Sequence, residues 1–322
     1  MMTAIDDPGS EASDSVADAP IDVPNEVAEL DAAMASAAVE RKRIRAERRR
    51  LLFRTPGFII GLVIVGFWVL CAIAPGLIAP YDGNEAVRVD GNVIAREGPS
   101  TDAWFGTDTI GNDVFSRVIF GARNVLIMAP AAAAIAAIAG TFLGLLVGFY
   151  RGWVDEVISR IAEAFLSIPV ILLGIMTLVV FGNSRFVIIL TVATLFTPVV
   201  TRTVRSAVLA EAQLDYVTSA KLRGESGPFI MLREILPNVT GVIVVEFTVR
   251  VGYAIFTIAT LAFLGLASDD FTTPDWGGDI ANTYDLIQSN QWWPTIFPAL
   301  AIASLVIAVN LIADSLDKVR SA

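Results

Sequence analysis

Histidine is absent from the 322 residues, and cysteine occurs once, as Cys71 within an apolar run. Without a second cysteine there is no internal disulfide, and without histidine the commonest zinc ligand and general base are missing. No Gly-Lys dipeptide occurs, which excludes a phosphate-binding P-loop, and no nucleophile has an evident base beside it. An enzyme is disfavoured on these grounds, and the chain is not expected to hydrolyse ATP by itself. Charge is scarce as well: 17% of residues are Asp, Glu, Lys or Arg, against 55% hydrophobic residues and a mean hydropathy of +0.65. A soluble domain needs more charge than this to clothe its surface, so composition points to a membrane.

The net charge of −10 says little about the core, because residues 1–40 hold ten acidic residues and no Lys or Arg. That stretch has no aromatic residue and is rich in Ala, Asp, Glu, Ser and Pro, so it cannot bury enough surface to offset the entropy of ordering. It reads as a disordered acidic tail on the cytoplasmic side, and it lacks the basic start and apolar core of a signal peptide. Residues 41–54 then carry eight Lys or Arg. Directly before a long apolar segment, such a run reads as a cytoplasmic anchor touching anionic lipid rather than as a nucleic-acid arm. Removing residues 1–39 is therefore expected to leave the function of the membrane-embedded part unchanged, while neutralising Arg48, Arg49 and Arg50 impairs insertion or orientation. Topology mapping checks the second expectation, and a truncated chain that inserts but loses its function would give the tail a role.

Residues 55–81 carry no charge and form a first span; residues 82–123 form a polar extracytoplasmic loop containing an amphipathic helix capped by Asp113. A second span covers 124–150, rich in the Ala and Gly that allow close helix approach. The third starts near Val157, with a kink at Pro169, and the fourth covers 186–201. The fifth runs over about 239–266 and the sixth over 292–314, after an outer loop with Asp269, Asp270, Asp275 and Asp279. The expected fold is thus an all-α integral membrane protein of six transmembrane helices with both termini cytoplasmic. Residues 124–316 form its five-helix core. Basic residues support this orientation, sixteen inside to five outside.

The longest polar interruption in the second half of the chain is 215–238, within a loop of 208–238 that includes Asp215, Tyr216, Val217, Ala220, Gly224, Ser226, Leu236 and Pro237. Tyr216, Val217 and Ala220 recur at helical spacing, Gly224 breaks that helix, and Phe229, Ile230 and Leu232 begin another before Pro237 restarts the chain. A bent backbone of this kind cannot lie in hydrocarbon, so it reads as a cytoplasmic loop. Within the fifth span, Glu246 and Arg250 stand four residues apart and share a helical face. They read as a structural ion pair or as a cavity site that meets charges on a bound solute.

The Ala-x3-Gly-x11-Leu-Pro spacing of Ala220, Gly224, Leu236 and Pro237 resembles the EAA loop of ABC importer permeases. The longer wording from Tyr216 to Asn238 resembles the dipeptide, oligopeptide and nickel branch. Ser219 stands where that branch usually has Ala, and Glu234 where it usually has His. Residues 104–117, from Trp104 to Arg117, resemble the signature of its C-type subunit, with Asn112 in place of the usual Arg. Phe263-Leu264-Gly265-Leu266 and Pro274-x-Trp276-Gly277 extend the resemblance over about residues 50–316.

This resemblance implies one permease half of an ATP-driven importer in a bacterial cell membrane, paired with a homologous second permease. Two cytoplasmic ATPases and an extracytoplasmic binding protein complete it. ATP and Mg sit on the partners, with no cofactor, metal or nucleic acid bound by this chain. The loop would enter a groove of the ATPase. Short peptides are the implied cargo, with nickel chelates, glutathione or another small solute as alternatives. A free-standing channel or secondary transporter is the competing class, but it would show inverted repeats and several embedded carboxylates, and would have no use for the loop.

Overall fold

The computed structural model describes Arg43, residues 50–266 and residues 273–321. The acidic tail, and Asp269 and Asp270 of the expected outer loop, lie outside the described residues. By its contacts the chain divides into Met1–Arg50 and Leu51–Ala322, and the second unit holds every element below.

Helix α1 spans Pro56–Ile73 and a single turn, α2, spans Pro75–Ile78. Helices α3 (Val114–Tyr150), α4 (Gly152–Leu166), α5 (Val170–Phe181) and α6 (Arg185–Glu211) follow. Next come α7 (Asp215–Leu222), the short α8 (Gly227–Phe229), α9 (Leu236–Leu261), α10 (Trp276–Thr283) and α11 (Trp293–Ser321). Among the described residues, five helices are long and apolar enough to cross a membrane, or six when the bent pair α4–α5 counts as one. The chain is an all-α integral membrane protein, and its described residues add a small hairpin of β1 (Arg88–Val89) and β2 (Asn92–Val93). Asp90 and Gly91 both have positive φ, the geometry of a tight two-residue hairpin turn, and the Asp-Gly pair was its unread signal in the sequence.

The first span is shorter than 55–81, because Pro75 has no N–H to continue the ladder and α1 ends at Ile73. The second is longer than 124–150. Asp113 does cap a helix, its Oδ2 accepting from the Ser116 backbone N–H at 2.8 Å, but that helix runs unbroken to Tyr150. Val114, Val118 and Ile119 are buried against the bundle, so this piece is the first turns of a span and not a separate helix on the membrane surface. Pro169 acts more strongly than a kink: α4 and α5 meet at 89° across Ser167–Pro169.

Among the described residues, the most extensive helix interface is between α3 and α6. Gly140, Gly144 and Gly148 stand at successive fourth positions on α3, opposite Val200, Val204 and Val208. Small residues every fourth position form a groove that lets two backbones approach, which is how helices associate where lipid removes the usual hydrophobic drive. At the hairpin end, aromatic residues join distant segments. The Trp276 indole donates to the Val118 carbonyl at 2.8 Å and stands edge-on to Trp68, with ring centres 4.9 Å apart. The Trp293 indole donates to the Thr107 carbonyl at 3.1 Å.

Candidate functional site

At the opposite end of the bundle, α7 lies across the ends of α3 and α6. Val217 and Ala220 are fully buried in a cluster with Leu145, Val204, Val208, Ile230 and Ile235. Apolar residues three positions apart on one helical face explain this seating. Asp215 is exposed in the first turn, where a carboxylate complements the helix dipole. Gly224 has φ +76°, and the space around its missing side chain is open, so the requirement at this position is backbone geometry alone. Ser226 is exposed and precedes α8 without a side-chain cap.

Pro237 does not restart the chain. The helix from Gly227 to Leu266 is continuous in length, and Ile230–Ile235 take wider π-type turns, with the Leu236 N–H reaching back five residues to the Met231 carbonyl. A widened turn accommodates the hydrogen bond that proline cannot make. Leu236 is partly buried in the same apolar cluster. Spacing alone cannot distinguish this from a new start.

Polar contacts fix the loop between two spans. The Tyr216 hydroxyl donates to Glu211 Oε2 at 2.7 Å and accepts from Asn238 Nδ2 at 3.1 Å, so one phenol ties the end of α6 to the start of α9. Burial, and then the Glu211 carboxylate, push the Tyr216 hydroxyl up to about 12, so it keeps its proton at physiological pH. Glu234, the position where histidine was usual, faces Arg223 at 4.0 Å; the same guanidinium holds Glu225 at 2.8 Å. The other face of the loop is apolar and open: Leu214, Leu222, Phe229 and Leu232 are all exposed. A loop with a buried inner face and an exposed apolar outer face has the form of a docking element.

Residues 140–320 match the family described as binding-protein-dependent transport system inner membrane component. The chain belongs to that family. It is 36% identical over 258 residues to a dipeptide transport system permease protein, DppC, of Alkalihalophilus pseudofirmus, covering 80% of this chain and 83% of the relative. It is 38% identical over 273 residues to a glutathione transport system permease protein, GsiD, of Escherichia coli O157:H7, covering 84% and 86%. The corresponding protein of Pectobacterium atrosepticum is 35% identical over 260 residues, covering 80% and 82%. This permease is therefore a membrane component of an ABC importer, a class that works with ATPase and substrate-binding partners.

Two further charged sites lie in the permease. Glu246 and Arg250 do meet on α9, with Arg250 Nε donating to Glu246 Oε1 at 2.8 Å. The guanidinium carbon stands 5.8 Å from the Phe196 ring centre and 5.0 Å from that of Tyr253, so two aromatic faces flank the cation. Both charged side chains are almost fully enclosed.

The second site escaped the sequence. Arg117, in the first turns of α3, donates through Nε and Nη2 to Asp279 Oδ1 at 3.0 and 2.5 Å, and through Nη1 to the Gly83 carbonyl and Asn84 Oδ1. The partners are 162 positions apart, beyond any local pattern. Burial pushes the Asp279 carboxyl up to about 6, against the pull of Arg117 and with help from Asp275 and Asp108. The sign follows from linkage. Between about 4 and 6 the folded chain holds a proton that the unfolded chain has released, so this group's contribution to stability falls as pH rises through that window. A shift of this size corresponds to at most about 3 kcal/mol. The parent should melt higher at about pH 5 than at about pH 7.5, and Asp279→Asn should remove most of that difference; equal pH dependence in both proteins would refute it.

Proposed function

We propose that this permease forms half of a translocation pathway for short peptides, paired with a homologous second permease and driven by two ATPases that dock on the α7 loop. The reading rests on one observation above the others: α7 packs its Val217–Ala220 face into the membrane helices and leaves Leu222 and its neighbours uncovered. Force applied to that outer face passes through the buried cluster and the Glu211–Tyr216–Asn238 bridge to α6 and α9 together. In this scheme the α7 end is cytoplasmic and the hairpin end faces an extracytoplasmic binding protein. The chain supplies no catalysis and no cofactor, and ATP and Mg belong to the partners. Closure of the ATPase pair would switch the pathway from inward-facing to outward-facing.

Peptide cargo is favoured by the dipeptide and glutathione permeases it resembles, and glutathione, itself a short peptide, is the second reading that the same relatives support. Nickel chelates remain a third. Uptake of labelled dialanine and labelled glutathione by the reconstituted complex separates them: saturable ATP-driven dialanine uptake is expected, and uptake of neither peptide would refute the peptide reading.

Gly224→Val tests the coupling role. A left-handed residue costs a β-branched side chain roughly 1–2 kcal/mol, and nothing nearby would clash, so assembly is expected to survive. Substrate-driven uptake per ATP hydrolysed should fall several-fold. Full coupling in this variant would remove Gly224 from the mechanism.

A further inference from the structure

Helix α4 is built inside out. Around its axis, Trp153, Val157, Ile161 and Phe165 fall on one half and are exposed, and α4 buries no residue at all. Its other half carries Asp155, Glu156, Ser159, Arg160 and Glu163 and looks across a cavity of about 400 Å³ toward α6. In a soluble protein the apolar half would face the protein. Here the polar half does, which fits a helix that gives its apolar side to lipid or to a second permease and its polar side to water.

Most charges in this cavity are engaged. Arg205 grips Asp155 through two hydrogen bonds, Nε to Oδ1 at 2.7 Å and Nη2 to Oδ2 at 2.6 Å, and this clamp ties α4 to α6. Arg160 and Glu163 form an exposed pair at 3.3 Å. Two charges are left over, one on each wall. Glu156 on α4 and Arg202 on α6 make no hydrogen bond or ion pair among the described residues. Ser159 and Thr201 line the cavity too, their hydroxyls donating to Asp155 Oδ1 and to the Thr197 carbonyl. A polar-lined cavity between α4 and α6, with one unengaged acid and one unengaged base on opposite walls, carries complementary groups for a solute that bears both an ammonium and a carboxylate. Its volume lies at the low end of the range for small-molecule sites, roughly 300–1,000 Å³.

We propose that this α4–α6 cavity is the α7-end segment of the translocation pathway, and that it takes zwitterionic cargo with the carboxylate on Arg202 and the ammonium on Glu156. The assignment rests on the peptide-permease reading and adds two specificity-determining residues to it. Contact here should be weak, because a site on an exit route must release what it receives.

The single native cysteine makes a direct test simple. The assembled transporter is placed in inside-out vesicles with Cys71→Ser as background. Ser159→Cys should react with a negatively charged thiol reagent about tenfold faster than Val157→Cys, since the first faces water and the second does not. Excess dialanine should slow the Ser159→Cys reaction several-fold, whereas N-acetyl-dialanine amide, which carries no charge, should not. Adding Arg202→Gln or Glu156→Gln should abolish the protection while the Ser159→Cys reaction itself persists. Equal labelling at positions 157 and 159 would overturn the wet cavity. Protection by the uncharged analogue, or protection that survives both glutamine variants, would overturn the roles of Arg202 and Glu156. These outcomes are read without transport, so they are distinct from a failure of the parent complex to accumulate dialanine, which would refute the peptide reading itself.

Discussion

Replacing Gly144 by leucine is expected to abolish recovery of folded permease from the membrane. A Cβ at Gly144 would lie 2.7 Å from the Val204 Cβ and 3.0 Å from the Thr201 carbonyl oxygen, and Gly140 and Gly148 face Val200 and Val208 as closely. One of these contacts is with backbone, which cannot rotate away, so α3 and α6 must separate along the interface they share. Overpacking of a core usually costs about 1–3 kcal/mol, and a forced separation of two spans should exceed the upper figure. Exchange of partners sharpens the test. Gly144→Val combined with Val204→Gly moves the bulk across the interface and should recover more monodisperse protein in detergent than Gly144→Val alone. A Gly144→Leu protein with the parent's yield and melting temperature would show that the two helices are not held at this distance.

Loss of one member of the Glu246–Arg250 pair is the second large effect. Removing Glu246 strands a guanidinium inside the bundle, and breaking a buried pair costs about 3–5 kcal/mol, chiefly because the remaining charge has no partner. Glu246→Ala and Arg250→Ala should each lower yield and melting temperature sharply. Glu246→Leu with Arg250→Met, which removes both charges and keeps volume, should be milder than either. The reversed pair, Glu246→Arg with Arg250→Glu, should fall between them, because Phe196 and Tyr253 flank the cation only at its present position. If instead the pair met cargo, the single variants would assemble normally and fail only in uptake. Parent-like behaviour of both single variants in yield and uptake would dispose of the structural and the cargo roles alike.

The sequence showed these features to different degrees, for physical reasons. Apolar length and the Ala-Gly run of α3 are local properties, so the spans and their close packing could be read directly. The Glu-x3-Arg pair was legible because helical periodicity puts it on one face. Wherever a charge is satisfied from far away, local reading failed. Arg117 looked like a residue of an aqueous loop, and so the start of α3 was placed ten residues late; its partner Asp279 lies on a different helix. Proline misled in both directions. Pro169 stands at an 89° break rather than a kink, because Ser167 and Ile168 also leave the helix, whereas Pro237 is absorbed by the wide turns before it. The inside-out polarity of α4 is a property of the fold, since an amphipathic pattern does not say which half faces the protein.

The central claim is that the α7 loop transmits the work of partner ATPases to the membrane helices. The most direct measurement is cross-linking from Leu222, an exposed side chain at the end of α7, in the complex purified from its native membrane. With Cys71→Ser as background, a short thiol-to-amine linker on Leu222→Cys should join the permease to an ATPase subunit in high yield, and the yield should change between the nucleotide-free and ATP-bound states. A cross-link confined to lipid or to the permease itself, in a complex that still transports, would contradict the account.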